Sequence, residues 1–353
     1  MRRLCHKVRS DLSRPARPFD GRYSGPIIDT HSHVMNRTED GLQSILPWMD
    51  RTGVERLILL PTPNEGLFRD REENAQDRRR FLELAGGRGG RLCGSDYLTN
   101  WMDAAHHSGY EEAELEKRLR WLREELDSGT CLGVGEIGPY HFEKKPGQAV
   151  IEFPLNFEPM LAVAGIAAEK GVWLDLHTEP VTHDGRSVED ALFGGIALLY
   201  QRFPNLKLIL SHTGMTNPKN ARALLETYPN LMMNLKMVRP GGNLKWDHLE
   251  PISNADDELY EDWARLMEEM PGRFMIGTDS RFGTPQYAGK RYGKNIQKLR
   301  RILGSLDPRA ADLIAHGNAR RIFGAAKVGS SGGPAVNLRK PGRDRKSKKR
   351  RRW

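Results

Sequence analysis

A chain of 353 residues can hold one large α/β barrel or two ordinary domains, and a hydrophobic content of 38% is enough to bury a core. The formal charge of +9 suggests a nucleic-acid binder until it is located: of 55 Lys and Arg and 46 Asp and Glu, ten basic residues and one acid fall in RKPGRDRKSKKRRRW (339–353), leaving the rest of the chain with 45 of each and no bias toward phosphate backbones. The three cysteines, Cys5, Cys93 and Cys131, are odd in number and widely spaced, which argues against a disulfide framework or a cysteine-rich zinc site and for a reducing compartment.

In chain order, residues 1–24 read as a basic extension, since MRRLCHKVRSDLSRPARPF lacks the apolar centre of a secretion signal. No apolar run reaches membrane-spanning length, so a cytoplasmic protein without a membrane partner is expected. From 25 to 326 the chain alternates. Apolar, β-branched segments recur as PIIDTH (26–31), VERLILLP (54–61), RLCGSDYL (91–98), CLGVGEIG (131–138), VWLDLH (172–177), NLKLILSH (205–212), NLMMNLK (230–236) and RFMIGTDS (273–280). Between them lie segments with helical periodicity, such as EEAELEKRLRWLREELD (111–127), FEPMLAVAGIAAEKG (157–171) and VEDALFGGIALLYQRF (188–203). Strand then helix, eight times, predicts a single (β/α)8 TIM barrel, because strands covered on both faces read as continuous apolar runs. A doubly wound sheet is the alternative, but no Gly-rich nucleotide turn follows the first strand. HGNARRIFG begins the closing helix, with Asn318 capping it or pinning the eighth loop. Residues 327–353 follow a Gly/Ser linker as a block of like charge and predict a disordered tail that binds polyanions at most weakly.

Chemistry-bearing residues fall where the strands end. In IIDTHSHV, Asp29, His31 and His33 occupy alternate positions, which in a strand share one face and set the two imidazoles side by side. Glu136 closes the fourth strand, His177 the fifth, His212 the sixth and Asp279 the eighth. A single core histidine needs only one hydrogen bond to explain it. Six residues at matching places need another reason, because barrel enzymes carry their reacting groups at the carboxyl ends of the strands. Four imidazoles and two carboxylates around one mouth make a nitrogen and oxygen ligand set for one or two divalent ions, zinc foremost and manganese or iron equally compatible.

DTHSH, GVGEIG, LDLHTEP, RFPNLKLILSHTG, FMIGTDS and HGNARRIFG together resemble the amidohydrolase superfamily over roughly residues 26–325, and most closely the branch containing aminocarboxymuconate-semialdehyde decarboxylase and several lactonases. The resemblance implies that His31, His33 and Asp279 hold one metal, that His177 and His212 lie near a second metal or on the substrate, and that Glu136 bridges, as in TatD-like and phosphotriesterase-like relatives. It implies a hydrolase that turns metal-activated water on a carboxylic ester, lactone or amide, with Asp279 and His212 as catalytic residues and Asp279 accepting the proton of water. A decarboxylase of the same superfamily is the alternative, and a TatD-like nuclease a weaker one. Lys236, Arg239, Tyr140, His141 and Arg281 are candidates for holding a small, anionic substrate. Glu179 is a candidate for fixing a neighbouring histidine, and His106 and His107 for the pocket rim or a plain loop. Flat outer faces of such barrels often pair, so a homo-oligomer is also expected.

Overall fold

The computed structural model describes residues 15–18, 21–34, 39–63, 71–142, 149–182, 184–236, 250–254, 256–283 and 289–324. The basic tail and Arg239 lie outside the described residues. The strands are β1 (Ile27–Val34), β2 (Val54–Leu59), β3 in two pieces (Gly89–Arg91 and Cys93–Gly94), β4 (Gly133–His141), β5 (Trp173–Thr178), β6 (Lys207–Leu210), β7 (Leu231–Leu235) and β8 in two pieces (Phe274–Ile276 and Ser280–Phe282). Each pairs in parallel with the next, and β8 returns to β1. The ladder is interrupted twice, because the pieces of β3 face β2 and β4 separately and those of β8 face β7 and β1. This is the (β/α)8 arrangement that the alternation of the sequence predicts.

Apolar side chains explain the layering. Leu57, Leu59, Leu174, Leu176, Leu208, Leu210, Met233 and Leu235 lie in the large core shared with the helices. Their neighbours one residue along, Ile58, Ile209 and Met232, join Ile28, Leu92, Trp173 and Met275 in a second cluster that the last helix, Asn318–Phe323, closes with Ala319 and Phe323. Alternation thus sends one set of side chains to the helices and the other into the barrel. Asn318 pins rather than caps: its amide donates to the carbonyls of Pro271 and Phe274, at 2.7 and 2.9 Å, and anchors the start of β8.

Three local readings differ from the sequence expectation. Ser95–Ser108 is a helix, so the strand expected over 91–98 stops at Gly94, whose φ of +102° turns the chain out of the sheet. Asp29 does not share a face with the imidazoles. The register of β1 on β2 slips between Asp29 and Ser32, and one extra residue reverses the face of everything beyond it. Asp29 instead accepts hydrogen bonds from Thr278 N and Oγ1, at 2.9 and 2.7 Å, and from Ser32 Oγ at 2.9 Å, tying β1 to the break in β8. Finally, Cys93 and Cys131 form a disulfide, their Cα atoms 6.0 Å apart. They are 38 residues apart in sequence, but β3 and β4 pair Cys93 with Val134, which brings the second cysteine alongside. Among the described residues no helix is long and apolar enough to cross a membrane.

Candidate metal centre

The carboxyl ends of β1, β4, β5 and β8 and the turn after β6 meet inside the ring. His33 Nδ1 lies 2.9 Å from the carbonyl of Leu60, which can only accept, so the proton sits on Nδ1 and Nε2 carries a lone pair. His31 follows the same logic: Nδ1 faces Ser211 Oγ at 3.0 Å, and that hydroxyl already donates to Asp175 Oδ1 at 2.7 Å. The two Nε2 atoms are 3.2 Å apart, and His33 Nε2 is 3.0 Å from Asp279 Oδ1. Acceptors at that spacing repel unless a cation or proton stands among them. Donors about 2.0–2.1 Å from a tetrahedral ion are about 3.3 Å from one another, so a divalent ion fits here.

Glu136 enters the same space. Its Oε2 is 3.3 Å from His31 Nε2 and 3.7 Å from His33 Nε2, while Oε1 is 2.6 Å from His177 Nδ1 and 3.4 Å from His212 Nε2. His212 is buried; its Nε2 faces the Glu136 carboxylate, while its Nδ1 has no hydrogen-bonding partner among the described residues. His31, Glu136 and His212 form one potential ligand group, and His31, His33 and Asp279 another. His177 stands apart from both: its Nδ1 meets Glu136 and its Nε2 meets Glu179 Oε1 at 2.7 Å. Five of the six expected residues therefore converge directly, and the sixth is reached through Glu136.

Backbone conformation aims two of these groups. His212 and Thr213 adopt left-handed conformations with φ of 59° and 58°, and Asp279 does so at 46°. Such geometry costs about 1–3 kcal/mol per non-glycine residue and survives only where surroundings impose it. Here Asn234 Oδ1 accepts from His212 N at 2.9 Å, and the His31 carbonyl accepts from Asp279 N at 2.9 Å. Gly277 makes room: a Cβ there would stand 2.9 Å from the Asn234 side chain and 3.0 Å from His31 Cβ.

Of the expected substrate contacts, Lys236 forms an ion pair with Asp279 Oδ2 at the mouth. His141 is buried with its ring 4.9 Å from that of His177, and Tyr140 is buried beside it on β4. Arg281 is exposed on the second piece of β8. Glu179 bonds His177, as its position in HTEP suggested. His106 and His107 lie exposed in the last turn of the helix Ser95–Ser108. Sequence reading missed the polar layer beneath the ligands, formed by Asp175, Ser211 and Asn234, where Asn234 Nδ2 donates to Ser211 Oγ at 3.1 Å. The signal was available, because Asp175 precedes His177 and Asn234 precedes Lys236 by two residues, on the same face of their strands.

Charge follows from this packing. Burial penalises the Glu136 carboxylate, yet His31 and His177 outweigh it and hold the group well below the usual carboxylate range. Burial likewise opposes ionisation of Asp279, but Lys236 and His33 keep it ionised. Burial, reinforced by Lys236, holds His212 neutral. Burial pushes Asp175 up to about 7. For His31 burial is overcome by Glu136, Asp175 and Asp279, which push the imidazole up to about 9 from an ordinary 6.5. The metal-free chain thus gains stability from His31 that is fully present below pH 6.5 and lost as pH rises through 9. A cation must displace that proton. Metal affinity is expected to rise with pH up to about 9, with close to one proton released per ion at pH 7.5, read by calorimetry in buffers of different ionisation heat. Affinity independent of pH between 6.5 and 9 would contradict the assignment of His31.

By sequence, no curated protein matches the chain. By fold it is similar to 4-oxalomesaconate hydratase from Rhodopseudomonas palustris (14% identity, 84% of this chain and 95% of that one, TM-score 0.53) and to a protein described as an amidohydrolase from Staphylococcus aureus (12%, 85% and 99%, TM-score 0.51). It is also similar to a manganese-bound dihydroxybenzoic acid decarboxylase from Polaromonas (13%, 85% and 96%, TM-score 0.49). The first two likenesses establish a shared fold. The sequence model of the family described as Amidohydrolase matches residues 109–325, a span that contains Glu136, His177, His212 and Asp279 and begins after His31 and His33. With more than half of its length matched, the chain belongs to the amidohydrolase family.

Proposed function

We propose that the protein is a metal-dependent hydrolase acting with metal-activated water on a carboxylic ester, lactone or amide. The observation that carries this reading is the position of Glu136, which reaches into the cluster between His31 and His212 and is available to both ligand groups. When bound, a divalent ion supplies Lewis acidity that polarises a carbonyl oxygen and lets water ionise near neutrality. His31 and His33, whose ring tautomers are set from behind, and Asp279 would hold such an ion. Asp279, ionised at the mouth, accepts the proton of water and returns it to the leaving group. Neutral His212 orients the substrate carbonyl without adding charge, and Lys236 draws an anionic substrate toward Asp279.

A lyase is the second reading, favoured by Lys236, since an ammonium beside the ligand cluster also suits the substrate carboxylate that a decarboxylase removes as carbon dioxide. Chelator-treated protein reloaded with zinc or manganese and offered esters, lactones, amides and aromatic carboxylates distinguishes them. Metal-dependent acid release from an ester, lactone or amide supports hydrolysis. Carbon dioxide release with no hydrolysis anywhere in the panel overturns it in favour of the lyase.

A further inference from the structure

At the end of the barrel opposite the candidate metal centre lies a cavity of about 350 Å³. Its wall is built where strands begin: Trp173 opens β5, Lys207 opens β6, Asn230 stands just before β7 and Arg273 just before β8. Arg321 and Ile322, from the last helix, complete it. Three of the lining residues are cations, and none is an acid. We infer that this cavity binds a small organic anion, its phosphate or carboxylate groups held by Arg273, Arg321 and Lys207.

The hydrogen bonds of these cations fix their heads but leave their charge unanswered. Arg273 Nε donates to the Leu231 carbonyl at 2.8 Å, and its Nη2 to the carbonyls of Leu231 and Tyr228. Arg321 Nη2 donates to the Gly272 carbonyl at 3.1 Å, and Lys207 Nζ to that of Gly171 at 2.8 Å. All of these oxygens belong to the backbone, and among the described residues none of the three cations forms an ion pair with a carboxylate. A guanidinium carries donors on three nitrogens, so Nη1 of each arginine is left for a ligand, in the planar geometry that suits an oxyanion. Burial above all, with the charge of Arg321 adding to it, lowers the pKa of the Arg273 guanidinium, a cost that a bound anion offsets. Size points to an organic ligand, because sites for small molecules span about 300–1,000 Å³ and a bare phosphate ion needs far less. The strands themselves separate this cavity from His31, His33 and Asp279, so the inference does not depend on the proposed reaction.

Calorimetric titration of the full chain with glycerol phosphate, tricarballylate and neutral glycerol, at constant ionic strength, tests it. Binding of either anion without binding of glycerol is expected, and the tighter of the two tells whether phosphate or carboxylate is the natural head group. Arg321→Glu is expected to weaken that binding roughly 10–100-fold, as the loss of a charge-assisted contact does. Lys236→Gln, at the other end of the barrel, is expected to keep it. Should Arg321→Glu fail to fold by circular dichroism, Lys207→Gln takes its place with the same expectation. No anion binding at millimolar concentration, equal binding of glycerol, or binding left intact by the substituted cavity cation overturns the inference.

Discussion

Asp279→Asn is expected to lower kcat of the metal-loaded enzyme by roughly 10²–10⁴-fold, the usual contribution of a placed proton acceptor, with the melting temperature little changed. The amide keeps the shape of the carboxylate but not its charge. It cannot take a proton from water, and it leaves the ammonium of Lys236 facing a neutral group where the native chain has an ion pair. Asp279 lies at the mouth, away from the apolar floor, so packing is preserved. Steady-state kinetics with metal content measured on the same samples separates lost chemistry from lost metal. An asparagine variant that turns over like the native enzyme would remove Asp279 from the reaction.

The second large effect falls on stability. Asp29→Ala takes the acceptor from Thr278 N, Thr278 Oγ1 and Ser32 Oγ at once, at a position with no solvent access. Each buried donor left unsatisfied costs about 1–3 kcal/mol, and the hydroxyls can partly turn elsewhere, so a loss of about 2–5 kcal/mol is expected by denaturant titration. Asp29→Asn, which retains one carbonyl oxygen, is expected to lose less. Because Thr278 immediately precedes Asp279, slackening this tie also displaces a ligand, and metal affinity is expected to fall roughly 10–100-fold, as it does when groups supporting a ligand are removed. A loss below about 1 kcal/mol would show that Asp29 is not what fastens β1 to β8.

These two aspartates mark how far the sequence can be read. Periodicity is a local property: it placed the eight strands in order, though several ends differ by two or more residues, and it located the helices Glu112–Asp127, Glu158–Lys170 and Glu189–Arg202 to within a residue at either end. Residue type at strand ends brought out His31, His33, Glu136, His212 and Asp279, because a parallel barrel delivers every strand's carboxyl end to one place. What stayed hidden depends on registers between strands. Alternation placed Asp29 with the imidazoles, and a one-residue slip against β2 turned it the other way. Residue type also brought out His177, and only the packed strands show its ring held between Glu136 and Glu179. The disulfide between Cys93 and Cys131 depends on which strands pair, and no spacing of cysteines records that. Asp175 and Asn234 share strand faces with His177 and Lys236, which the sequence could have shown, but that they and Ser211 set the proton of His31 depends on contacts between strands.

The proposed function requires His31, His33 and Asp279 to hold a common divalent ion. Anomalous diffraction at the zinc or manganese edge, from crystals of the metal-loaded protein, tests it most directly. A peak is expected about 2.0–2.2 Å from His31 Nε2, His33 Nε2 and an Asp279 oxygen. Metal-loaded crystals with no peak among those three side chains would contradict it.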